Sequence, residues 1–143
     1  MSNKKPLVIK IGGAILERES ALGSLLNVIK SLDKQPVVLV HGGGCVVDEM
    51  LSQAGFSTEK LDGLRVTPAI QIPLVSGALA GHVNKKIVAK ANAQSISTVG
   101  LSLTDGEMTK CSLANEALGA VGKPVANSSK LLDTLINQGF LVV

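Results

Sequence analysis

Aromatic residues are almost missing from this 143-residue chain: it has no Trp and no Tyr, and only Phe56 and Phe140. Proteins that hold single-stranded nucleic acid use aromatic rings as stacking platforms. The 14 basic residues do not compensate, because they stand singly or in pairs such as Lys4-Lys5 and Lys85-Lys86 and form no basic stripe. A nucleic-acid partner is therefore not expected. Cysteine is scarce too. Cys45 and Cys111 form no CxxC pair and join no Cys/His cluster, so no zinc site is readable. Each reads as a small buried apolar residue and not as a nucleophile. No apolar run approaches the ~20 residues of a membrane span. Between Pro6 and Gly12 there are too few residues for the apolar core of a signal peptide. The expected setting is the cytoplasm, with no membrane partner.

What is present is aliphatic. Hydrophobic residues make up 45% of the chain and charged residues 17%, the balance of a globular domain and not of a disordered one. The length suits one domain whose core is Val, Leu, Ile and Ala.

The organising stretch is Pro36-Val-Val-Leu-Val-His41-Gly42-Gly43-Gly44. Val37 to Val40 read as a buried strand. The three glycines end it, and a helix begins directly after them. A strand, a glycine turn and a helix start together can hold a phosphate or a carboxylate on inward-pointing backbone N–H groups; a tight turn without a ligand is the plainer alternative. Upstream, Leu7-Val8-Ile9-Lys10-Ile11 reads as a second buried strand, ended by Gly12-Gly13. Lys10 is its odd member, because an unpaired buried charge is costly. It either meets an anion at the strand end or snorkels to the surface. Between these strands Glu17 to Asp33 reads as an amphipathic helix capped near Ser20, with Leu22, Leu25, Leu26 and Ile29 on one face. This βαβ unit implies parallel strands and a right-handed crossover. Both glycine turns then fall on one edge of the sheet, where open parallel sheets bind ligands.

After a helix to about Gln53, Asp62-Gly63 predicts a hairpin turn. Arg65 sits just past it, suited to a bidentate carboxylate or to plain solvation. Thr67-Pro68 reads as a helix cap with proline at the first helical position. Ala69 to Gln94 reads as one long helix or two joined ones, kinked by Pro73, with Asn84-Lys85-Lys86 opening a polar face. A strand over Ser95–Leu101 follows, then a turn at Thr104-Asp105-Gly106. Next come a second hairpin from Met108–Leu113 returning over Ala117–Gly122, a helix from Ser128-Ser129 to about Asn137, and a buried strand from Phe140. A strand that starts at the very end of the chain suggests a larger fold.

Taken in order, Val8-Ile9-Lys10-Ile11-Gly12-Gly13, Val38-Leu39-Val40-His41-Gly42-Gly43-Gly44, Asp62-Gly63-Leu64-Arg65-Val66-Thr67, Gly77-Ala78-Leu79-Ala80-Gly81 with Asn84-Lys85, and Gly100-Leu101 with Asp105-Gly106 resemble the amino-acid kinase family, in particular its acetylglutamate-phosphorylating branch. The resemblance covers essentially the whole chain. It implies an α/β fold: a three-layer αβα sandwich with an open, mainly parallel sheet plus β-hairpins. Residues 1–143 would be its N-terminal, N-acetylglutamate-binding lobe. The activity implied is ATP-dependent phosphorylation of the side-chain carboxylate of N-acetyl-L-glutamate, a step of arginine biosynthesis. By position, Lys10 matches the lysine that stabilises the transferring phosphoryl group. Gly13 and Gly43 match backbone donors to it. Gly43 and Gly44 match substrate-contacting glycines, and Arg65 the substrate-holding arginine. His41 then reads as a packing or hydrogen-bonding residue, since a carboxylate nucleophile needs no general base. ATP and Mg2+ belong to a second lobe, absent from this chain, which alone would hold neither tightly and would be inactive or nearly so. The resemblance also implies a homodimer through the long helix 68–94. Two other readings stand beside it: a non-catalytic or partner-binding module, and another amino-acid kinase, such as a carbamate or aspartate kinase.

Overall fold

The structure is a computed structural model and describes residues 4–32 and 34–143. Its centre is a four-stranded sheet built from β1 (Leu7–Ile11), β2 (Val37–His41), β8 (Leu141–Val142) and β5 (Thr98–Val99), in the order β1-β2-β8-β5. Every pairing in it is parallel. The chain is thus an α/β protein with a mainly parallel sheet.

Side-chain alternation along the strands sorts the sheet into two faces. Ile9, Ile11, Val37, Leu39, Leu141 and Val143 point to one face, where Leu22, Leu26 and Ile29 of α2 (Glu19–Ser31) and Ile87 and Ala91 of α5 (Asn84–Ala93) close the core. The other face carries Val8, Lys10, Val40 and Val142. The right-handed crossover from β5 back to β8 puts α6 (Lys130–Asn137) on this second face, against β8. It shields Val142 but leaves Val8 62% and Val40 40% exposed. Strand β1 is therefore an edge strand with one open face and not the buried strand that its apolar run predicts; a continuous apolar run does not distinguish the two. Lys10 lies on the exposed face, so the cost of burying its charge does not arise.

The helix expected over Glu17–Asp33 begins later. A short α1 (Gly13–Glu17) comes first, Arg18 is extended, and α2 starts at Glu19; Asp33 lies outside the described residues. The turn between β3 (Glu59–Leu61) and β4 (Leu64–Val66) is as expected, with Asp62 and Gly63 both at positive φ, which the tight hairpin requires.

Residues 69–93 form one helical run whose pitch changes three times: a 3-10 turn at Ala69–Gln71, α4 (Ile72–Ser76), a π-helix at Gly77–Val83, and α5. Pro68 is the cap and not the first helical residue. Pro73 falls in the first turn of α4, where its missing N–H costs little, so the interior kink expected of it is replaced by the 3-10 turn before it. Packing of α3 (Gly44–Gln53) against this run makes a second apolar cluster around Val47, Leu51 and Ala78.

The second hairpin returns later than expected, pairing β6 (Thr109–Leu113) with β7 (Gly122–Ala126). Residues 118–120 are held elsewhere: Thr67 N–H donates to Leu118 O (2.9 Å) and Ala120 N–H to Thr67 O (2.8 Å). Gly119 makes this possible, since a Cβ there would sit 2.5 Å from Thr67 O. Among the described residues no helix is long and apolar enough to cross a membrane.

Candidate functional site

Parallel strands bring the ends of β1 and β2 to one edge of the sheet. Ile11 pairs with His41, and Gly42 N–H donates to Ile11 O (3.3 Å), so the two glycine turns start side by side. Gly43 caps α3, and the N–H groups of Gly43 and Gly44 donate to no acceptor among the described residues. These are the orphan donors of a helix start, strengthened by the helix dipole, and they favour a negative group in front of them.

Two of the expected site residues, Gly13 and Gly43, line one cleft of about 220 Å3 between α1, α3 and the π-helix, together with Glu17, Cys45, His82 and Lys86. A larger hollow of about 480 Å3 lies at the opposite end of the sheet, among Pro36, Val37, Ser97 and Leu141. It is remote from both glycine turns. Binding at the carboxyl ends of the strands is the rule for open parallel sheets, so the smaller cleft is the candidate site, although Lys10, Gly44 and Arg65 do not line it.

Lys10 is exposed one residue before the end of β1, opposite Val40, and its ammonium makes no hydrogen bond among the described residues. Arg65 is engaged. Its Nη1 donates to the Asp48 carboxylate and to Thr58 Oγ1 (3.2 Å), and its Nη2 to Gly44 O (3.3 Å). The hairpin is thereby tied to the first turns of α3. The hydrogen bond from Arg65 is also the main reason the Asp48 carboxyl is held below its usual range. Asp48 and Thr58 did not stand out in the sequence. The signal available was an acid one helical turn past Gly44, opposite in charge to the hairpin arginine.

Both cysteines are exposed, against expectation. Cys45 sits beside Gly13 and Glu17; its hydrogen bond to Glu17, then the charge of that carboxylate, push the thiol pKa up. The neighbouring carboxylate contributes more to this than burial does.

The polar face expected from Asn84 onward forms at Lys85 and Lys86, which are exposed in front of buried Ile87 and Ala91, but Asn84 itself turns inward. Asn84 is 1% exposed. Its Nδ2 reaches Val143 O (3.1 Å), Leu101 O (3.3 Å) and His41 Nε2 (3.3 Å), and its Oδ1 accepts from Lys85 Nζ (3.0 Å), which also donates to Gly100 O (2.9 Å). One buried amide therefore joins β2, β8 and the loop after β5. A Cβ on Gly100 would fall 1.9 Å from Asn84 Oδ1, so only glycine lets the backbone pass.

The sequence profile of the amino acid kinase family matches residues 5–143. The chain belongs to this family. An acetylglutamate kinase from Colwellia psychrerythraea is 66% identical over 139 residues, which is 97% of this chain and 54% of that protein. Another from Aeromonas hydrophila is 48% identical over 144 residues, 99% of this chain and 56% of that protein. The chain spans about half the length of these relatives. Among solved structures, smu.665 from Streptococcus mutans UA159 superposes with a TM-score of 0.86 at 26% identity, covering 96% of this chain and 57% of that one. An N-acetylglutamate synthase from Neisseria gonorrhoeae, complexed with coenzyme A and N-acetyl-glutamate, has a TM-score of 0.72 at 22% identity, covering 96% and 32%; it shares the fold.

Proposed function

We propose that these residues form the N-acetyl-L-glutamate-binding lobe of an acetylglutamate kinase, which transfers the γ-phosphoryl group of ATP to the substrate's side-chain carboxylate in arginine biosynthesis. The observation that carries the reading is the pair of unpartnered amides, Gly43 and Gly44, at the start of α3, beside a hairpin whose arginine is already folded toward them. Phosphoryl transfer asks a protein mainly for positioning and for stabilisation of spread negative charge. A carboxylate is already a nucleophile, so no general base is required. Lys10 supplies mobile positive charge at the end of β1. Gly13 and Gly43 offer backbone N–H groups to the transferring phosphoryl group, and Gly43 and Gly44 line the substrate. Arg65 holds a substrate carboxylate with guanidinium donors beyond those spent on Asp48, Thr58 and Gly44.

ATP is the co-substrate of this reaction, brought by the remaining part of the full-length enzyme. Among the described residues no group of three His, Cys, Asp or Glu could hold a metal ion. Mg2+, like ATP, would be held by that remaining part and not by this lobe. A homodimer through residues 68–94 is the assembly we propose: Ile70 is 71% exposed at the start of that run, and Ile72 and the hairpin residues Leu61 and Leu64 are exposed as well. The setting is the cytoplasm.

Titration calorimetry of the full-length protein with N-acetylglutamate tests the reading. Saturable heat at up to millimolar ligand is expected, with weaker heat for unacetylated glutamate. A folded protein that gives no heat with N-acetylglutamate would overturn it.

A further inference from the structure

Lys85, Asn84, His41 and Gly42 form a directed chain of hydrogen bonds that ends on the glycine turn. Lys85 Nζ can only donate, so the Asn84 atom facing it at 3.0 Å is Oδ1. That fixes the amide orientation: Nδ2 faces the oxygens of Val143 and Leu101 and the ring nitrogen His41 Nε2. Nδ2 donates, so Nε2 accepts. The imidazole proton is then on Nδ1, which donates to Gly42 O at 2.7 Å. Nδ2 has two hydrogens for three acceptors, so one of them is shared, and the anchor, Asn84, is almost fully buried.

Gly42 O belongs to the same planar unit as Gly43 N–H. In a trans peptide the two point in opposite directions, and no cis bond occurs among the described residues. Holding the oxygen therefore aims the amide. Behind the same residue, Leu79 and Val83 of the π-helix press on Gly43, since a Cβ there would lie 2.9 Å from Leu79 Cδ2 and 3.1 Å from Val83 Cγ2. The π-helix ends at Val83, one residue before Asn84, so one irregular turn delivers both the wedge and the anchor. Single π turns inside helices recur at functional sites.

We propose that His41 is a positioning residue: its Nδ1–H, set by Asn84, locks the Gly42–Gly43 peptide so that the Gly43 N–H faces the anion. This rests on the acetylglutamate kinase reading for the identity of the anion, but the locking itself does not. His41 touches no reacting atom; it acts through Gly43.

Two substitutions separate positioning from packing. In His41→Asn the side-chain amide nitrogen can take the place of Nδ1 and keep the bond to Gly42 O. In His41→Gln the longer side chain reaches toward Asn84 and leaves Gly42 O unheld. In the full-length protein, 15N NMR should find the His41 ring protonated on Nδ1; protonation on Nε2 alone would overturn the proposal. The Gly43 amide should have a rigid order parameter, ~0.85, in wild type and His41→Asn and a value below ~0.6 in His41→Gln. Equal rigidity in all three would overturn it, whether or not the protein binds a ligand. In turnover with N-acetylglutamate and ATP, His41→Gln should lose about 10-fold or more in kcat with little change in KM, while His41→Asn keeps most of it; a lost oxyanion donor costs about 10²–10³-fold, and a misaimed one less. Equal losses in both variants would show a packing role and refute the proposal. A wild-type protein with a rigid Gly43 amide but no binding of N-acetylglutamate would sink the functional reading and leave the locking intact.

Discussion

The turn after β1 stands almost unsupported, whereas the turn after β2 is packed and hydrogen-bonded from behind. Around Gly12 nothing lies within 4 Å of where a Cβ would be, and the strand that leads into it is an edge strand with Leu7 and Val8 exposed. Gly43 lies close against Leu79 and Val83, which would crowd any Cβ there, with the neighbouring peptide held through His41 and Asn84. Two short glycine turns on one sheet edge thus hold their glycines for different reasons. The second needs Gly43 because there is no room. The first has room, and its distinctive residue is Lys10, whose ammonium has no hydrogen-bond partner among the described residues. Under the proposed function this would divide the work: the second turn would be a fixed frame of donors, and the first would supply a charge able to follow a moving group.

The largest effect that could break this contrast is on rate. Lys10→Ala in the full-length protein should lower kcat for N-acetylglutamate phosphorylation by about 10²–10³, the scale of losing one donor to developing charge. Its unfolding free energy should move by no more than ~0.5 kcal/mol, because the side chain is exposed and unpaired. Steady-state kinetics and urea unfolding read the two quantities, and an unchanged kcat would return Lys10 to the role of a surface lysine.

Next in size is a stability contrast between the turns themselves. Gly43→Ala forces its methyl against Leu79 and Val83 and should cost about 1–3 kcal/mol, as overpacking does. Gly12 has extended backbone (φ −98°, ψ 179°) and open space, so Gly12→Ala should be neutral or stabilise by up to ~1 kcal/mol through the unfolded chain. Urea midpoints measure both. Similar shifts of the same sign would mean that the turns are supported alike.

Much of this arrangement was legible in the residues. Apolar runs that end in glycine gave the strands and their shared edge, and the amphipathic spacing of Leu22, Leu26 and Ile29 gave the covering helix. Asp62-Gly63 gave the hairpin because both positions need positive φ. What stayed hidden depends on partners distant in the chain. Asn84 sits in a polar-looking Asn-Lys-Lys triplet, and only the fold brings Val143, Leu101 and His41 to it. The late return of the second hairpin follows from pairing of Thr67 with residues 118–120, a contact that no local pattern encodes. The exposure of β1 was hidden for a related reason: its composition is that of a covered strand, and its neighbours in space decide whether it is covered.

The smallest effect concerns how the hairpin is tied to the second turn. Arg65 depresses the Asp48 carboxyl, so Asp48 contributes stability at pH values above its unfolded pKa, near ~3.9, and loses it as the pH falls through the lower folded value. Asp48→Asn removes the charge at every pH. Wild type should therefore be more stable than Asp48→Asn at pH 7, with the difference shrinking below about pH 4. The size should be about 0.5 kcal/mol and not several, because the Asp48 side chain is 41% exposed and solvent screens the pair. Added salt should shrink it further at neutral pH. The Thr58 and Gly44 bonds to Arg65 do not involve the carboxylate, so the hairpin should stay docked while this increment disappears. Unfolding midpoints of the two proteins between pH 7 and pH 3 decide the matter. A constant difference across that range would show that Asp48 packs against Arg65 without an ionic link, and the second turn would then be framed from behind, by Asn84 and the π-helix, with nothing electrostatic holding its front.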